Sequence, residues 1–279
     1  MDDNAGKYYI DDGEIKESAE GRGIGKNDGI MIYDVVRVID GIPLFFEDHY
    51  IRTCQSFQAV GNDCDLKPSD MWNQINKIVR ANENRNCNIK FIMFTVGGAA
   101  KTIGYISRSH YPTEAEIKKG VSVGLYSLER ENPNIKIVDH DYKKTINKIK
   151  EDNGFYEVFL VDREGNITEG GSSNIFFIKG EKIFTAPEEK VLKGITRMHV
   201  MESCKAAGRQ VIEMPIKAGD ISEADAVFIS GTSPKVMPVS AIDDIKYNSA
   251  ENPVAEAIRL AFDEKIRKYL KENERAKIV

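Results

Sequence analysis

The sequence has few residues of the types that hold metal ions or form disulfides. It contains four histidines and four cysteines in 279 residues. The cysteines are widely spaced and include no Cys-x-x-Cys pair: Cys54, Cys64, Cys87 and Cys204. Zinc sites and disulfide frameworks are recognised by closely and regularly spaced ligands. We therefore predict no metal site and no disulfide framework, and we interpret the cysteines as free, mostly structural thiols.

The sequence also lacks a basic region and a long apolar run. Its formal net charge is -5, and lysines and arginines are interspersed with acidic residues. Nucleic-acid-binding surfaces need clustered positive charge. No stretch approaches the about 18 apolar residues of a membrane span, and the acidic start, MDDNAGKYYIDDGE, has no apolar segment of the kind found in secretory signals. These absences predict a cytoplasmic protein whose partners include neither nucleic acid nor a membrane.

Hydrophobic residues make up 41% of the chain, enough for one large domain or two modest ones. The polar segment 129–133, ERENP, has no periodicity and predicts a domain junction. We predict a smaller N-terminal α+β domain, residues 1–130, and a larger C-terminal mixed α/β domain, residues 131–279. The predicted strands are 7–10, 30–38, 44–46, 89–96, 102–107, 156–161, 175–178, 210–213 and 226–230, and the predicted helices are 48–60, 68–84, 141–153 and 253–271.

The most informative stretch is residues 166–197, NITEGGSSNIFFIKGEKIFTAPEEKVLKGITR. Two apolar runs, 175–178 and 183–185, flank a polar turn and predict a β-hairpin. Glu169 precedes them at the end of a strand. Gly194 opens an amphipathic helix, so the backbone N–H groups of the next residues face outward at a helix N-terminus. Such a terminus binds phosphate.

Three segments of the chain, ITEGGSSN, LKGITR and ISGTS, resemble the class IV, or fold type IV, pyridoxal-phosphate aminotransferases in their order and spacing. This family includes branched-chain and D-amino-acid aminotransferases and aminodeoxychorismate lyase. The resemblance covers nearly the whole chain and extends to residues 32–37, 49–52, 154–197, 228–233 and 237–239. It implies a two-domain mixed α/β fold, pyridoxal 5'-phosphate as the cofactor, and a homodimer.

The resemblance assigns roles to residues of both predicted domains. Glu169 resembles the carboxylate that keeps the cofactor's pyridine nitrogen protonated, which the ring needs to act as an electron sink. Arg52, in a His-x-x-Arg pattern, resembles the phosphate arginine, since a guanidinium suits bidentate phosphate contact. Ile195 and Thr196 would add main-chain donors and a hydroxyl, and Thr232 another hydroxyl. The alternatives are a solvated strand-end carboxylate for Glu169 and a helix-surface arginine for Arg52.

The cofactor also needs a lysine to form its Schiff base. The helix 141–153 has Tyr142, Ile146 and Ile149 on its apolar face, which leaves its four lysines on solvated faces: Lys143, Lys144, Lys148 and Lys150. Lys136 lies instead in an apolar stretch, NIKIV, at a predicted strand end, and it matches the family lysine in its spacing from Gly154. We predict Lys136 as the Schiff-base lysine, with Lys143 and Lys144 as alternatives.

Two features depart from the family pattern. Asp139 stands where an asparagine is usual, and a carboxylate close to Lys136 would favour the charged ammonium over the amine that attacks an aldehyde. The Arg-x-His group that receives the substrate carboxylate in D-amino-acid aminotransferases is absent after Val96. Tyr33, Arg37 and Lys101 are the candidate substrate contacts. Their alternatives are a core aromatic, a strand-surface charge and a loop charge, respectively.

We predict pyridoxal-phosphate-dependent transamination between an amino acid and a 2-oxo acid. The resemblance implies that Lys136 forms the Schiff base and moves the α-proton, while Glu169 pairs with the pyridine nitrogen. The first alternative is a pyridoxal-phosphate lyase resembling aminodeoxychorismate lyase. The second is a non-catalytic protein that kept the cofactor site, which Asp139 and the absent arginine would support. The identity of the amino acid stays open, because pocket loops determine it.

Overall fold

The computed structural model describes residues 3–18, 27 and 29–276. The chain has a mixed α+β fold, as predicted, and divides into two compact units. The first comprises Met1–His110, Ile135–Val138 and Ile266–Val279, and the second comprises Tyr111–Asn134 and Asp139–Lys265. These units differ from the predicted domains, 1–130 and 131–279, because three segments belong to the opposite unit. One of the three is the short segment that contains Lys136.

The first unit contains a six-stranded sheet and two helices. Its strands are β1 (Asn4–Asp11), β2 (Glu14–Glu17), β3 (Ile32–Ile39), β4 (Ile42–Pro43), β5 (Cys87–Val96) and β6 (Ala99–Ser107), and its helices are α1 (Phe46–Ala59) and α2 (Pro68–Ala81). The order across the sheet is β2-β1-β6-β5-β3-β4, and its paired strands are antiparallel. A hydrophobic core forms between one face of the sheet and the helices, where Val36 and Phe91 pack with Phe57 and Ile75.

The opposite face of this sheet carries most of the polar residues of interest. Buried and half-buried residues alternate along β3, so Tyr33 and Arg37 point away from the helix-covered core. In the register between strands, Val35 lies opposite Lys90 on β5, and Lys90 lies opposite Tyr105 on β6. Residues directly opposite each other share a face. Tyr33, Arg37, Lys90 and Tyr105 therefore lie on the same face of the sheet.

The second unit is built around a larger mixed sheet. Its strands are β7 (Val121–Ser127), β8 (Glu157–Val161), β9 (Asn166–Gly170), β10 (Asn174–Lys179), β11 (Lys182–Thr185), β12 (Val211–Glu213), β13 (Ile216–Lys217), β14 (Ala226–Gly231), β15 (Lys235–Ile242) and β16 (Ile245–Lys246). The order is β12-β11-β10-β14-β15-β7-β8-β9-β13, and β16 pairs with β15. The remaining α-helices are α3 (Glu114–Lys119), α4 (His140–Asn153), α5 (Ile195–Ala206) and α6 (Pro253–Glu272), and the residues of α6 from Ile266 onward belong to the first unit.

The predicted hairpin is confirmed, because β10 and β11 pair antiparallel and Lys179 lies opposite Lys182 across the turn. The predicted strand end around Lys136 is instead a single β-bridge, in which Ile137 pairs with Ile32. Within the described ranges, none of the helices has the length and apolar character needed to span a membrane.

Candidate active site

Arg52 lies on α1, and its guanidinium binds the carboxylate of Asp34 on β3. Arg52 Nε is 2.9 Å from Asp34 Oδ2, and one terminal nitrogen is 2.5 Å from Oδ1. His49 Nδ1, one helical turn earlier, lies 2.9 Å from the same Oδ1. Asp34 is only 1% exposed. The His-x-x-Arg pattern thus faces the sheet, and the buried carboxylate fixes the direction of the planar guanidinium. Sequence reasoning had assigned no role to Asp34 or His49.

The contacts with Arg52 and His49 shift the pKa of Asp34. Burial by itself raises the pKa of the carboxyl group, but the charges of Arg52 and His49, and the hydrogen bonds from both, outweigh burial and hold the pKa well below its ordinary value. The ionised carboxylate therefore stabilises the fold above the unfolded-state pKa of about 4, and this stabilisation is lost as the pH falls below it.

We expect Asp34→Asn to lower the free energy of unfolding at pH 7 by about 3–5 kcal/mol, because it removes the buried carboxylate that binds the Arg52 guanidinium, whose side chain is only 11% exposed. Stability measured by urea unfolding should also fall less steeply below about pH 4 in the variant than in the wild type. Asp63→Asn, at an exposed position, is the control and should behave like the wild type. An Asp34→Asn variant with the wild-type stability at pH 7 would show that the Asp34 carboxylate does not stabilise the fold.

Lys136 and Tyr33, two of the predicted site residues, lie together in the first unit. The Tyr33 N–H donates to the Lys136 carbonyl at 2.8 Å, and the Val138 N–H donates to the Met31 carbonyl at 2.8 Å. These bonds tie the segment around Lys136 to the start of β3. Lys136 Nζ is 4.8 Å from the centre of the Tyr33 ring, and Lys136 is half-buried. Tyr33 is thus more than a core aromatic, because its ring faces a cation.

The competing lysines lie on α4. Lys143, Lys144 and Lys148 are exposed, and Lys150 is half-buried with its Nζ 3.9 Å from Glu157 Oε1. Asp139 is the N-cap of this helix, and its side chain accepts a hydrogen bond of 2.8 Å from the Tyr142 N–H. Asp and Asn are equally suited to this position. The role of Asp139 as the N-cap of α4 therefore explains why an aspartate stands at this position.

The other two predicted substrate contacts lie on the same sheet face as Tyr33 but in different surroundings. Arg37 is half-buried on β3. Lys101, on β6, is 40% exposed at its side chain and forms an ion pair with Asp12 in the β1–β2 turn. The hydrogen bond with Asp12 raises the pKa of Lys101. The ion pair of Lys101 therefore links β6 to the β1–β2 turn.

Glu169, at the end of β9 in the second unit, is buried and paired. One carboxylate oxygen is 2.9 Å from an Arg130 guanidinium nitrogen, and the other accepts a hydrogen bond of 3.0 Å from the Leu192 N–H. Glu169 is 4% exposed, so it is not a solvated strand-end carboxylate. Arg130 comes from the segment predicted as a junction, where no local pattern marked it.

A second buried carboxylate, Glu157, accepts hydrogen bonds from the turn after Glu169. Its Oε2 accepts from the Ser172 N–H at 3.2 Å, the Ser172 hydroxyl at 2.8 Å and the Ser173 hydroxyl at 3.1 Å. A methyl group at Gly170 would collide with the Ser173 hydroxyl. The glycines and serines of this turn therefore have a packing and hydrogen-bonding function.

The predicted phosphate-binding elements of the second unit meet at Asn174. Helix α5 begins at Ile195 after the N-cap Gly194, and within the described part of the chain no side chain caps this end. Gly194 packs against the Asn174 amide, whose Nδ2 donates to the Leu192 carbonyl at 3.0 Å. Asn174 also lies opposite Ser230 on β14, two residues before Thr232. The uncapped N–H groups at the start of α5 and the turn at residues 230–232 therefore both lie beside Asn174.

Ser230 adds a polar group that sequence reasoning did not single out. Its hydroxyl is buried and, among the described residues, has no hydrogen-bond partner. Buried hydroxyl groups are normally hydrogen-bonded. An unsatisfied hydroxyl next to an uncapped helix N-terminus suits an oxygen-rich anion such as a phosphate.

The described cysteines are free, and the described residues contain no group of three or more His, Cys, Asp or Glu side chains placed to hold a metal ion. Burial raises the pKa of the Cys204 thiol to about 12, which disfavours its reactive thiolate.

The chain is similar to known proteins in sequence and in fold. The family model for amino-transferase class IV matches residues 31–242. A D-alanine aminotransferase from Bacillus licheniformis is 28% identical over 266 residues, covering 91% of this chain and 93% of that protein. An aminodeoxychorismate lyase from Bacillus subtilis is 19% identical over 262 residues, covering 88% of each. A solved structure of the T.th. branched-chain amino acid aminotransferase with pyridoxamine 5'-phosphate has a TM-score of 0.84 at 22% identity and covers 97% of each chain.

The family model covers well over half of the chain, and the structural similarity extends over nearly all of it. The predicted fold and the predicted cofactor are therefore confirmed, and the comparisons do not favour a lyase over an aminotransferase. The chain belongs to the class IV aminotransferases, enzymes that depend on pyridoxal 5'-phosphate.

Proposed function

We propose that this protein transfers an amino group between an amino acid and a 2-oxo acid, with Lys136 as the residue that binds the cofactor covalently. The observation that carries the proposal is the position of Lys136. It is half-buried and tied to β3 beside the Tyr33 ring, whereas Lys143, Lys144 and Lys148 are exposed on α4. The Schiff base of the cofactor forms on a lysine amine, and Lys136 is held in one place beside β3.

When bound, pyridoxal phosphate supplies an aldehyde that takes up the substrate amine and a ring that accepts electrons from the substrate α-carbon. Lys136 would hold the cofactor through its Nζ atom. When released from the cofactor, the Lys136 amine would take the substrate α-proton as a general base and return a proton as a general acid. The ring of Tyr33 limits the positions available to the Lys136 side chain.

Glu169 is proposed to keep a proton on the pyridine nitrogen. A buried carboxylate binds a charged N–H group strongly, because little water competes for it. Arg130 and the Leu192 N–H hold this carboxylate in a fixed orientation. Arg130 is therefore a positioning residue in this proposal.

The phosphate is proposed to bind four of the predicted residues. Arg52 offers a guanidinium whose orientation Asp34 fixes. Ile195 and Thr196 offer N–H groups at the start of α5, and Thr232 offers a hydroxyl. Helix N-termini and guanidinium groups are the common phosphate ligands of proteins.

We expect Gly194→Ala to weaken the binding of pyridoxal phosphate about tenfold or more, measured by equilibrium dialysis. The added methyl group would press against the Asn174 amide, and such overpacking costs about 1–3 kcal/mol. That strain would move the start of α5. Gly219→Ala is the matched control, because a methyl group there meets no atom within 4 Å. Equal affinity in both variants would show that the α5 start does not bind the phosphate.

Tyr33 and Arg37 are proposed to contact the substrate, since both lie on the sheet face beside Lys136. Lys101 is the weakest of the three proposed contacts, because Asp12 already pairs with it. The homodimer and the cytoplasmic location remain predictions. Light scattering on the purified protein tests the first and should give twice the 31.3 kDa mass of the chain.

The function is tested by incubating the holoenzyme with single L- or D-amino acids and 2-oxoglutarate. Transamination predicts that the new 2-oxo acid and glutamate form in equal amounts with ping-pong kinetics. Pyruvate released from an amino acid without any added 2-oxo acid would favour the lyase alternative. No turnover with any amino acid would favour the non-catalytic alternative.

A further inference from the structure

Two of the four cysteines lie together in the first unit, and the proposed function uses neither of them. Cys54 is on α1, and Cys64 is in the connection that joins α1 to α2, residues 60–67. Both side chains are half-buried, whereas Cys87 and Cys204 are buried. Solvent molecules can reach a half-buried thiol, and accessible thiols are the ones that react.

The connection between the two helices folds back along α1. Near its start, the Asn62 N–H donates to the Phe57 carbonyl at 3.2 Å, and near its end the Leu66 carbonyl accepts from the Tyr50 hydroxyl at 2.9 Å. The connection therefore runs antiparallel to the helix, from the level of Phe57 to that of Tyr50. The helix rises about 10 Å between these two residues, a distance that a short extended segment can cover.

Cys54 and Cys64 lie near the middle of these two antiparallel segments. Cys64 is halfway between the two tethered residues of the connection, and Cys54 is one helical turn after Tyr50, on the same face of α1. Tyr50 and Cys64 also pack against the same hydrophobic core. The backbone tethers and this packing thus place the two thiols side by side.

The two thiols are hydrogen-bonded to each other. Burial, the hydrogen bond with Cys54 and the negative charge that a Cys54 thiolate would carry raise the pKa of the Cys64 thiol to about 12. Cys64 therefore stays protonated and donates to the Cys54 sulfur. Only a thiolate attacks a disulfide, so Cys54 is the sulfur that reacts first.

We propose that Cys54 and Cys64 form a dithiol site, which small-molecule disulfides convert reversibly into an intramolecular disulfide bond. The Cys54 thiolate attacks one sulfur of the small disulfide, forms a mixed disulfide and expels the other half, which takes up the proton that Cys54 lost. Cys64 then loses its proton, attacks the Cys54 sulfur and expels the second half as a thiol. Two protein thiols are oxidised, and one small disulfide is reduced to two small thiols.

The position of the pair on α1 separates this site from the candidate cofactor site. Arg52 precedes Cys54 by two residues, which corresponds to about 200° around the helix. Oxidation therefore takes place on the side of α1 away from the Asp34–Arg52 ion pair. Cys64 belongs to no helix or strand, so it can approach Cys54 to bonding distance without unwinding either helix. The proposal thus does not rest on the proposed function.

Oxidation of the native full chain with hydroxyethyl disulfide tests the proposal. The remaining free thiols are then alkylated after unfolding, and the peptides are mapped by mass spectrometry without reduction. The wild type should yield one cross-linked pair of peptides, joining Cys54 to Cys64, which dithiothreitol separates. Cys87 and Cys204 are internal controls in the same protein, and both should carry the alkyl group.

Two variants separate the two chemical steps. Cys64→Ser cannot close the bond and should accumulate the mixed disulfide on Cys54. Cys54→Ser should form a mixed disulfide about tenfold or more slowly than Cys64→Ser, because burial still disfavours the Cys64 thiolate. Near-UV circular dichroism shows whether each variant is folded, and the map of the wild type does not depend on either variant.

Three results for the wild type would overturn the proposal. They are two unmodified thiols at Cys54 and Cys64, a mixed disulfide that never closes, and a cross-link that includes Cys87 or Cys204. A folded Cys64→Ser variant that reacts no faster than Cys54→Ser would overturn the proposed order of the two steps.

Discussion

Lys136→Ala should reduce the rate of transamination by about 10³-fold or more. The variant lacks the amine that is proposed to hold the cofactor covalently and to remove the α-proton, and general acid–base catalysis alone contributes about 10²–10⁴-fold. The measurement is kcat with saturating amino acid and cofactor. Added methylamine should restore part of the rate, because a free amine can carry the proton.

Lys143→Ala is the control for this experiment. Lys143 is exposed on α4, close in sequence to Lys136, and its loss should leave kcat within about twofold of the wild type. A Lys136→Ala variant with full activity, together with an inactive Lys143→Ala variant, would show that a lysine of α4 binds the cofactor covalently.

Glu169→Gln should leave the cofactor bound and slow the loss of the α-proton by about 10²–10³-fold. The change replaces the charge that is proposed to keep the pyridine nitrogen protonated, and removing one preorganised electrostatic contact costs about this much. The Arg130 guanidinium also loses its counter-charge, so the variant's thermal stability must be measured alongside its rate. A larger kinetic isotope effect with substrate deuterated at the α-carbon would identify proton transfer as the slowed step.

Glu223→Gln is the matched control for Glu169. Glu223 also forms an ion pair with a basic side chain, Lys179, but at 63% exposure, and exposed pairs contribute little. We expect its kcat to equal that of the wild type. Unchanged turnover in Glu169→Gln would show that another group protonates the ring.

Several elements of the fold were predictable because their signals are local. Helix α2 begins with a proline and places Met71, Ile75, Ile78 and Val79 on its buried side, which is the period that the sequence shows. The β10–β11 hairpin follows from two apolar runs around a polar turn. In both cases the residues that determine the structure lie within one helix or hairpin.

The pairs that support the candidate site were not predictable in this way. Arg130 and Glu169 are 39 residues apart, and Arg52 and Asp34 are 18 apart. Each pair forms because separate elements pack together, and no spacing in the sequence encodes this packing. The division of the chain was missed for the same reason, since residues 135–138 join the first unit by pairing with β3.

Lys90 is a different case. The sequence shows a lysine inside the apolar run 89–96, and an isolated charge in a buried strand is itself a signal. That signal does not say which groups would compensate the charge. The aromatic partners, Tyr33 and Tyr105, come from neighbouring strands, and only the register of the sheet reveals them.

The central claim is that pyridoxal phosphate is bound covalently by Lys136. The most direct test is to record the visible absorbance of the purified holoenzyme, reduce it with borohydride and map the modified peptide by mass spectrometry. We expect borohydride reduction to abolish the visible absorbance of the holoenzyme and to leave one pyridoxyl group, on Lys136. A pyridoxyl group on Lys143 or Lys144, or no adduct at all, would contradict it.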